Sequence, residues 1–205
     1  MQNSRAYGYL IKQLNAFGTE KKNGYYPQIM EEIYDWEREE VEDIIWNAFI
    51  NKKEVGLASF LPKLKKYDGI KALKESPYLL QIPSGASVEI GQILYEVTDD
   101  KNYLDLIKRN IDASPDEISY VARLSYCRPC TKLYNILADI YINNSNKVNR
   151  NTAVMGILYN RGIIKDRLSI EESNHVIGLR KKFKSEDREE RIKILERFEK
   201  GELTE

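Results

Sequence analysis

The sequence has only two cysteines, a single histidine and no long uninterrupted apolar run. Two cysteines exclude a disulfide-dense scaffold, and one histidine leaves few of the nitrogen ligands that zinc sites use. The apolar runs are short and interrupted by charged residues, so we expect no membrane-spanning segment. Residues 1–10 lack a basic head followed by a long apolar core, so we expect no signal peptide there and a cytoplasmic location.

Short catalytic motifs are also missing from the sequence. There is no Gly-rich phosphate loop, no Gly-x-Ser-x-Gly elbow and no His-Glu-x-x-His helix. The 32 basic and 32 acidic residues balance, so no global charge attracts nucleic acid or a membrane. No Pro/Gly/Ser-rich linker divides the 205 residues, which predicts a single domain. We expect no cofactor and no bound metal, and the missing motifs favour a binding protein over an enzyme.

One short pattern recurs four times along the chain. An aliphatic residue is followed three positions later by another aliphatic residue and five positions later by an aromatic one. The aromatic residues of the four copies are Trp46, Tyr95, Tyr126 and Tyr159, and the last three copies start 31 and 33 residues apart. Such a period, built from helix–turn–helix units, is typical of an α-solenoid. We therefore expect the four aromatic residues to occupy equivalent positions, and the 14 tyrosines to lie mainly in seams between helices.

Capping signals predict where helices begin and end. Asp68 is expected to cap a short helix, and either Ser84 or Ser87 to cap the next one. The Ser-Pro-Asp-Glu stretch at residues 114–117 matches a capping box with proline at the first helical position. Gly162 suits a left-handed helix end. No period-2 alternation indicates a strand, so the sequence predicts an all-α fold.

The helix pairs at residues 88–111 and 118–141, with the fourth copy from Val154, resemble those of HEAT-like repeat proteins. The resemblance covers about residues 38–165. It is interrupted at residues 66–86, where an extra short helix and a loop lengthen the first interval to 49 residues.

The resemblance implies a right-handed α–α superhelix, a HEAT-like solenoid of antiparallel helix pairs. Residues 1–36 would form N-terminal helices, residues 37–165 the repeat units and residues 166–205 a charged cap of helices. The second helix of each pair would form a concave layer. Exposed positions on those helices would be Lys63, Lys66, Asp105, Lys108, Arg109, Lys132, Asn135 and Asp139. Among these, the candidate partner-binding residues are Lys108, Arg109, Asn135 and Asp139.

The HEAT-like resemblance implies two alternative functions. Some small bacterial proteins of this type are immunity proteins that neutralise a toxin by occupying its active surface, and others are regulatory binding modules. The alkylpurine DNA glycosylases of the same type are enzymes that hold DNA in a basic channel. A mixed or acidic concave surface would favour protein binding, and a continuous basic groove would favour nucleic acid. The balanced charge of this chain favours protein binding.

Charge is unevenly distributed in the first third of the chain. Residues 31–43 contain eight acidic residues and one basic residue, whereas residues 52–75 contain seven lysines and three acidic residues. The acidic segment is either a set of solvated helix faces or a surface that attracts a basic protein. Carboxylates at helical spacing also support acid–base chemistry where a pocket is present. The candidate partner-binding residues here are Glu32, Glu39, Glu40 and Asp43.

Cys127 and Cys130 form a Cys-x-x-Cys pair, for which three interpretations are open. They pack a tight interhelical turn, form a redox pair near a helix N-terminus, or supply half of a zinc site. Redox pairs of this kind normally follow a strand, and a zinc site needs two more ligands, whereas the only histidine is His175. Packing with both thiols reduced is therefore the favoured interpretation, and His175 is not expected to be catalytic.

Basic residues also follow one another around the fourth copy of the pattern. They are Arg150, Arg161, Lys165 and Arg167, with Tyr159 nearby. They form either a phosphate-contacting edge or ordinary surface charge that also caps helix carbonyls. We favour ordinary charge and do not expect nucleic acid as a partner.

Overall fold

The computed structural model describes residues 2–16, 25–166 and 168–203. Over these residues all regular structure is helical and no strand occurs, which confirms the predicted all-α class. None of the helices in these ranges combines the length and apolarity needed to cross a membrane. The chain divides into two compact units, Met1–Pro77 and Tyr78–Glu205. The boundary falls in a 3₁₀ turn, Pro77–Leu80, and not in a stretch of linker composition.

Within residues 2–16 and 25–77, the first unit combines three α-helices with 3₁₀ segments. The α-helices are α1 (Arg5–Leu14), α2 (Arg38–Ile50) and α3 (Gly69–Lys74), and the 3₁₀ helices are Pro27–Glu31, Asp35–Glu37 and Val55–Lys63. The third 3₁₀ helix packs against α2, α3 and the first 3₁₀ helix, so it lies at the centre of this unit. It contains Pro62, which lacks an N–H and therefore disfavours a regular α-helix there. Its side chains Leu57, Phe60 and Leu61 are fully buried.

The second unit contains eight α-helices among the residues that the structure describes. They are α4 (Gly85–Thr98), α5 (Asn102–Ala113), α6 (Ile118–Ser125), α7 (Thr131–Asn143), α8 (Lys147–Asn160), α9 (Ile170–His175), α10 (Ile177–Lys182) and α11 (Arg188–Glu199). Helix α6 contacts both α4 and α8, whereas α7 contacts both α5 and α11. The closest pairs are α4 with α5 and α7 with α8. Helices two positions apart in the chain are therefore neighbours in this unit.

The helices after residue 166 contribute to the same hydrophobic core as α4–α8. Phe183 makes edge-to-face contacts with Tyr141 and Phe198, with ring centroids 5.5 and 5.1 Å apart. The Tyr141 hydroxyl also donates a hydrogen bond to the Phe183 carbonyl at 2.8 Å. The segment predicted as a charged cap thus supplies aromatic residues that complete the core of the second unit.

The expected equivalence of the four patterned aromatic residues is wrong. Tyr95 is fully buried, and its hydroxyl donates to the Arg128 carbonyl at 2.8 Å, whereas Tyr126 is 40% exposed. Trp46 belongs to the first unit and stacks on Tyr67 with ring centroids 4.4 Å apart. Helix length explains the difference between the second and third copies. Tyr95 lies within the 14-residue helix α4, whereas Tyr126 lies just beyond the end of the eight-residue helix α6.

The predicted capping box at residues 114–117 is also wrong. Ser114 is the C-cap of α5, and α6 begins only after Glu117, whose side chain accepts from a backbone N–H within the first turn. The Pro115 carbonyl accepts a hydrogen bond from the Asn149 side chain at 2.7 Å. This contact from a distant part of the chain holds residue 115 in a loop outside the helix.

Other local signals are confirmed. Asp68 caps α3 by accepting from the Lys71 N–H at 2.9 Å. Ser84, and not Ser87, caps α4. Gly162 follows the end of α8 with a left-handed backbone, φ +72°. Helix caps predicted from neighbouring residues are therefore present where no contact from a distant residue competes with them.

Gly156 allows α8 to approach α6 and α7 closely. A Cβ atom at this position would lie 2.8 Å from Leu137 Cδ1 and 2.9 Å from Ser125 Oγ, both shorter than a van der Waals contact. Since these neighbours are buried, we expect Gly156→Ala to lower the free energy of unfolding by about 1–3 kcal/mol. Chemical denaturation followed by far-UV circular dichroism measures the change.

Gly178→Ala is the matched control for this substitution. Gly178 is also helical, but a Cβ atom there would meet no atom within 4 Å. Alanine is a better helix former than glycine by about 1 kcal/mol, so this variant should be unchanged or slightly more stable. Equal stability of the two variants would contradict the close approach at Gly156.

Candidate functional site

The acidic segment at residues 31–43 pairs largely with groups of its own unit. Lys66 Nζ lies 2.9 Å from a Glu39 oxygen and 2.8 Å from an Asp43 oxygen. Asp43 also accepts a hydrogen bond from the Tyr67 hydroxyl at 2.5 Å. These partners hold the pKa of Asp43 below its ordinary value, mainly through the Lys66 ammonium. Two of the predicted partner-binding carboxylates thus already share one lysine of the lysine-rich segment, which offsets one of their two charges.

Glu42 is buried and serves the fold of the first unit. Its carboxylate accepts from Arg38 Nε at 2.7 Å and from the N–H groups of Lys65 and Lys66 at 2.9 and 2.7 Å. Burial opposes ionisation of Glu42, but these donors outweigh it and hold its pKa below the ordinary value. Arg38 also donates to the carbonyls of Met30 and Lys63 at 2.9 and 2.7 Å. The pair therefore connects α2 with two 3₁₀ helices and the loop after them.

Glu37 is the second buried carboxylate of the segment. It accepts the N–H of Ser4 at 2.7 Å and the N–H of Tyr34 at 2.9 Å. It therefore ties the start of α1 to the 3₁₀ helix Asp35–Glu37. A nearby exposed carboxylate, Glu40, accepts a hydrogen bond from the Tyr7 hydroxyl at 2.8 Å.

Glu32 and Asp35 are exposed, and neither has a hydrogen bond or ion pair through its side chain with any residue that the structure describes. Glu32 lines a shallow cleft of about 550 Å³ with Tyr9 and Tyr26. These tyrosines are 37% and 54% exposed, and their ring centroids are 6.1 Å apart. Of the four acidic candidates, only Glu32 thus remains available for a partner without breaking an existing contact.

A second pair of exposed aromatic rings flanks Asp35. Tyr34 and Trp36 are 51% and 50% exposed, and their ring centroids are 6.0 Å apart. We refer to these residues as the aromatic–acidic surface: Tyr9, Tyr26, Tyr34, Trp36, Glu32 and Asp35. Sequence reasoning missed its three tyrosines because the tyrosines were expected to lie mainly in seams between helices. The signal that could have found them is the interleaving of aromatic and acidic residues around Glu32.

The candidates on α5 and α7 share a face, and their charges are paired across the two helices. Lys108 Nζ lies 2.5 Å from Asp112 on its own helix and 3.2 Å from Asp139 on α7. Lys132 on α7 lies 2.5 Å from Asp105 on α5. Burial lowers the pKa of Lys108, but Asp112 and Asp139 outweigh it and raise the pKa above its ordinary value. This face carries both signs of charge.

The remaining candidates of this face, Arg109 and Asn135, are exposed. Asn135 lines a second cleft, of about 490 Å³, together with Tyr134 and Arg161. Arg161 Cζ lies 4.1 Å from the centre of the Tyr134 ring, and the Tyr134 hydroxyl donates to Glu199 at 2.8 Å. The polar groups of this cleft therefore interact mainly with one another.

Both cysteines are free thiols in the structure. Cys127 is fully buried in the core, and its Sγ lies 3.6 Å from the Arg123 carbonyl oxygen, which supports the packing interpretation. Cys130 caps α7, and its Sγ accepts from the Leu133 N–H at 3.4 Å. Among the described residues, no group of three or more His, Cys, Asp or Glu side chains could hold a metal ion.

The basic residues around the fourth copy do not all face solvent. Arg150 is buried, donates to the carbonyls of Asn144 and Ser145, and pairs with Glu186. Arg161 stacks on an aromatic ring as described above, and Arg167 lies outside the described residues. Arg150 is therefore committed to the fold and is not available to a phosphate group.

Comparisons of the chain with protein-family models, with curated proteins and with solved structures find no match. The HEAT-like resemblance therefore has only the sequence pattern behind it and stays a prediction. Function is inferred below from the surfaces of the two units.

Both tryptophans, Trp36 and Trp46, belong to the first unit, so their fluorescence follows its unfolding. We expect Glu42→Gln to lower the free energy of unfolding by about 1–3 kcal/mol at pH 7, because a neutral amide cannot replace the buried carboxylate that accepts hydrogen bonds from three donors. Glu32→Gln is the matched control. Since Glu32 is exposed and has no partner among the described residues, its substitution should change stability by less than about 0.5 kcal/mol.

The lowered pKa of Glu42 determines how the stability of the folded protein changes with pH. In the unfolded chain this carboxyl titrates near its ordinary value of 4.5, and in the folded protein it titrates lower. Its contribution is therefore fully present above pH 4.5 and is lost as the pH falls through the folded pKa. The stabilities of the native protein and Glu42→Gln should converge in acid. A stability difference that stays constant down to strongly acidic pH would contradict this role.

Proposed function

We propose that this protein is a non-enzymatic, helical protein-binding module that acts by occupying the surface of a partner. The aromatic–acidic surface carries the proposal. It exposes four large aromatic side chains beside two carboxylates that have no partner among the described residues. Tyrosine and tryptophan dominate the energetics of protein interfaces because they bring large, rigid contact areas. Clusters of exposed apolar side chains mark interaction sites on protein surfaces.

The charge of this surface indicates a basic partner. A lysine or arginine side chain can pack on the rings of Tyr9 and Tyr26 while its charged end pairs with Glu32. Glu39 and Asp43 contribute less to the local field, because Lys66 already offsets one of their two charges. The attraction is therefore concentrated at Glu32 and Asp35 and is not spread over the whole acidic segment.

The helix contacts of the second unit support the proposed solenoid. Stacked helix pairs bring helices two positions apart in the chain into contact, as α4 and α6, α6 and α8, and α5 and α7 are. In this proposal the face of α5 and α7 is a second contact surface, with Lys108, Arg109, Asn135 and Asp139. Its paired, mixed charges favour a protein over nucleic acid. An immunity or regulatory role is the form of this function that the HEAT-like resemblance implies.

The proposal is tested by capturing partners from a lysate of the native host and measuring binding of the recovered protein by biolayer interferometry. Truncating both Tyr26 and Trp36 to alanine should weaken binding by about tenfold or more, mainly through faster dissociation. Tyr126→Ala is the matched control, an exposed aromatic residue of the second unit. Weakening by the control alone would contradict the assignment to the first unit.

Reversing the charge of exposed carboxylates tests separately how they affect the rate of association with the partner. Glu32→Lys combined with Asp35→Lys should slow association and flatten its salt dependence, because exposed charges act on the association rate. Reversal of Glu39, which is already paired with Lys66, should have a smaller effect. If association with the recovered partner is unchanged at every salt concentration, the carboxylates are only a solvated surface. Capture of duplex DNA in place of a protein would favour the nucleic-acid alternative.

A further inference from the structure

The second unit contains a cleft of about 450 Å³ whose lining includes none of the residues of the surfaces described above. Helices α6 and α8 supply most of its lining, and Ile164, Ser173 and Arg180 supply the rest. Apolar walls are formed by Val148, Met155 and Ile164, and hydroxyl groups come from Thr152 and other short side chains. This volume, with mostly apolar walls and a few polar groups, is typical of sites for small ligands.

Arg180 is the only charged side chain among the described residues that line this cleft. It is half-buried, and its side chain makes no hydrogen bond or ion pair with any residue that the structure describes. A guanidinium group carries five N–H donors and stays charged in proteins. Partial removal from water without a partner is therefore unfavourable.

The other buried or half-buried arginines of the described chain all have partners. Arg38 pairs with Glu42, and Arg123 lies 3.2 Å from Glu89. The remaining two, Arg150 and Arg191, donate to backbone carbonyls, and Arg150 also pairs with a glutamate. Among these five arginines, Arg180 alone has no hydrogen bond or ion pair with a described residue, and it lines a cleft.

Acidic residues near the cleft do not supply the missing partner. Glu172, on the helix before α10, is bound by the N–H groups of Lys165 and Asp166 at 2.6 and 3.0 Å. Arg180 lies in the last turn of α10, where the partial negative charge of the helix end favours a cation. The helix has only six residues, and this interaction gives the N–H donors of the guanidinium no hydrogen-bond acceptor. These donors remain available to a ligand.

We propose that the cleft binds a small organic carboxylate with an aliphatic or aromatic body. The carboxylate pairs with the Arg180 guanidinium, whose planar arrangement of donors suits two parallel hydrogen bonds. The apolar body packs against Val148, Met155 and Ile164 and leaves water. This binding activity is separate from the proposed protein binding, since it involves none of the residues assigned to either contact surface.

Three ligands of equal chain length test the proposal on the intact native protein: octanoate, 1-octanol and octylammonium. Methyl resonances of Met155 and Val148 report binding by NMR titration. Octanoate should produce saturable shifts and bind about tenfold more tightly than the other two, because only it pairs with Arg180. Similar affinities for all three, or no saturable shift below the micelle concentration of octanoate, would overturn the proposal.

Variants locate the site. Arg180→Gln should weaken octanoate binding by about tenfold, to the level of 1-octanol, and Arg180→Lys should fall between because it keeps the charge and loses the paired geometry. Arg197→Gln is the matched control, an exposed arginine on α11, and should leave octanoate affinity unchanged. Unchanged affinity in Arg180→Gln would overturn the proposal. Should that variant fail to fold, Arg180→Lys and the comparison of the three ligands give the same decision.

Discussion

The ion pair between half-buried Arg38 and buried Glu42 is the interaction on which the first unit depends. In the part of this unit that the structure describes, each α-helix packs mainly on a 3₁₀ helix. The guanidinium binds two carbonyls from separate segments, and the carboxylate binds two N–H groups of a third. Groups that cannot find partners within a helix are thus satisfied by one ion pair. The acidic segment and the lysine-rich segment carry opposite charges, and in the folded protein they contact each other.

This dependence changes the meaning of the acidic segment. A count of eight carboxylates in residues 31–43 does not distinguish those that point inward from those that face water. The structure assigns Glu37 and Glu42 to the interior and pairs Glu39 and Asp43 with Lys66. Glu32 was selected from the sequence and does remain exposed. The aromatic rings around it were not selected, because exposure of a tyrosine depends on packing that the sequence does not reveal.

Local chemistry was predictable, whereas contacts between distant segments were not. Asp68, Ser84 and Gly162 act as their sequence contexts predict, since each needs only its immediate neighbours. The capping box at residues 114–117 fails because Asn149, more than thirty residues later, binds the Pro115 carbonyl. The predicted equivalence of the patterned aromatic residues is wrong because the helices differ in length. The same sequence spacing therefore places Tyr95 within a helix and Tyr126 beyond the end of one. Arg180 was overlooked because, in the sequence, it begins an ordinary basic run at a helix end, and its missing partner shows only in three dimensions.

The aromatic contacts of Phe183 have a practical consequence for mapping function along this chain. Residues after 166 are rich in charge and look dispensable, yet Phe183 lies against Tyr141 and Phe198 and accepts the Tyr141 hydroxyl. A truncation before this residue would leave a buried hydroxyl without an acceptor and open the core to water. Deletion mapping would then attribute to the C-terminal helices an activity that belongs elsewhere, so point substitutions on exposed positions are the sound way to assign roles in this protein.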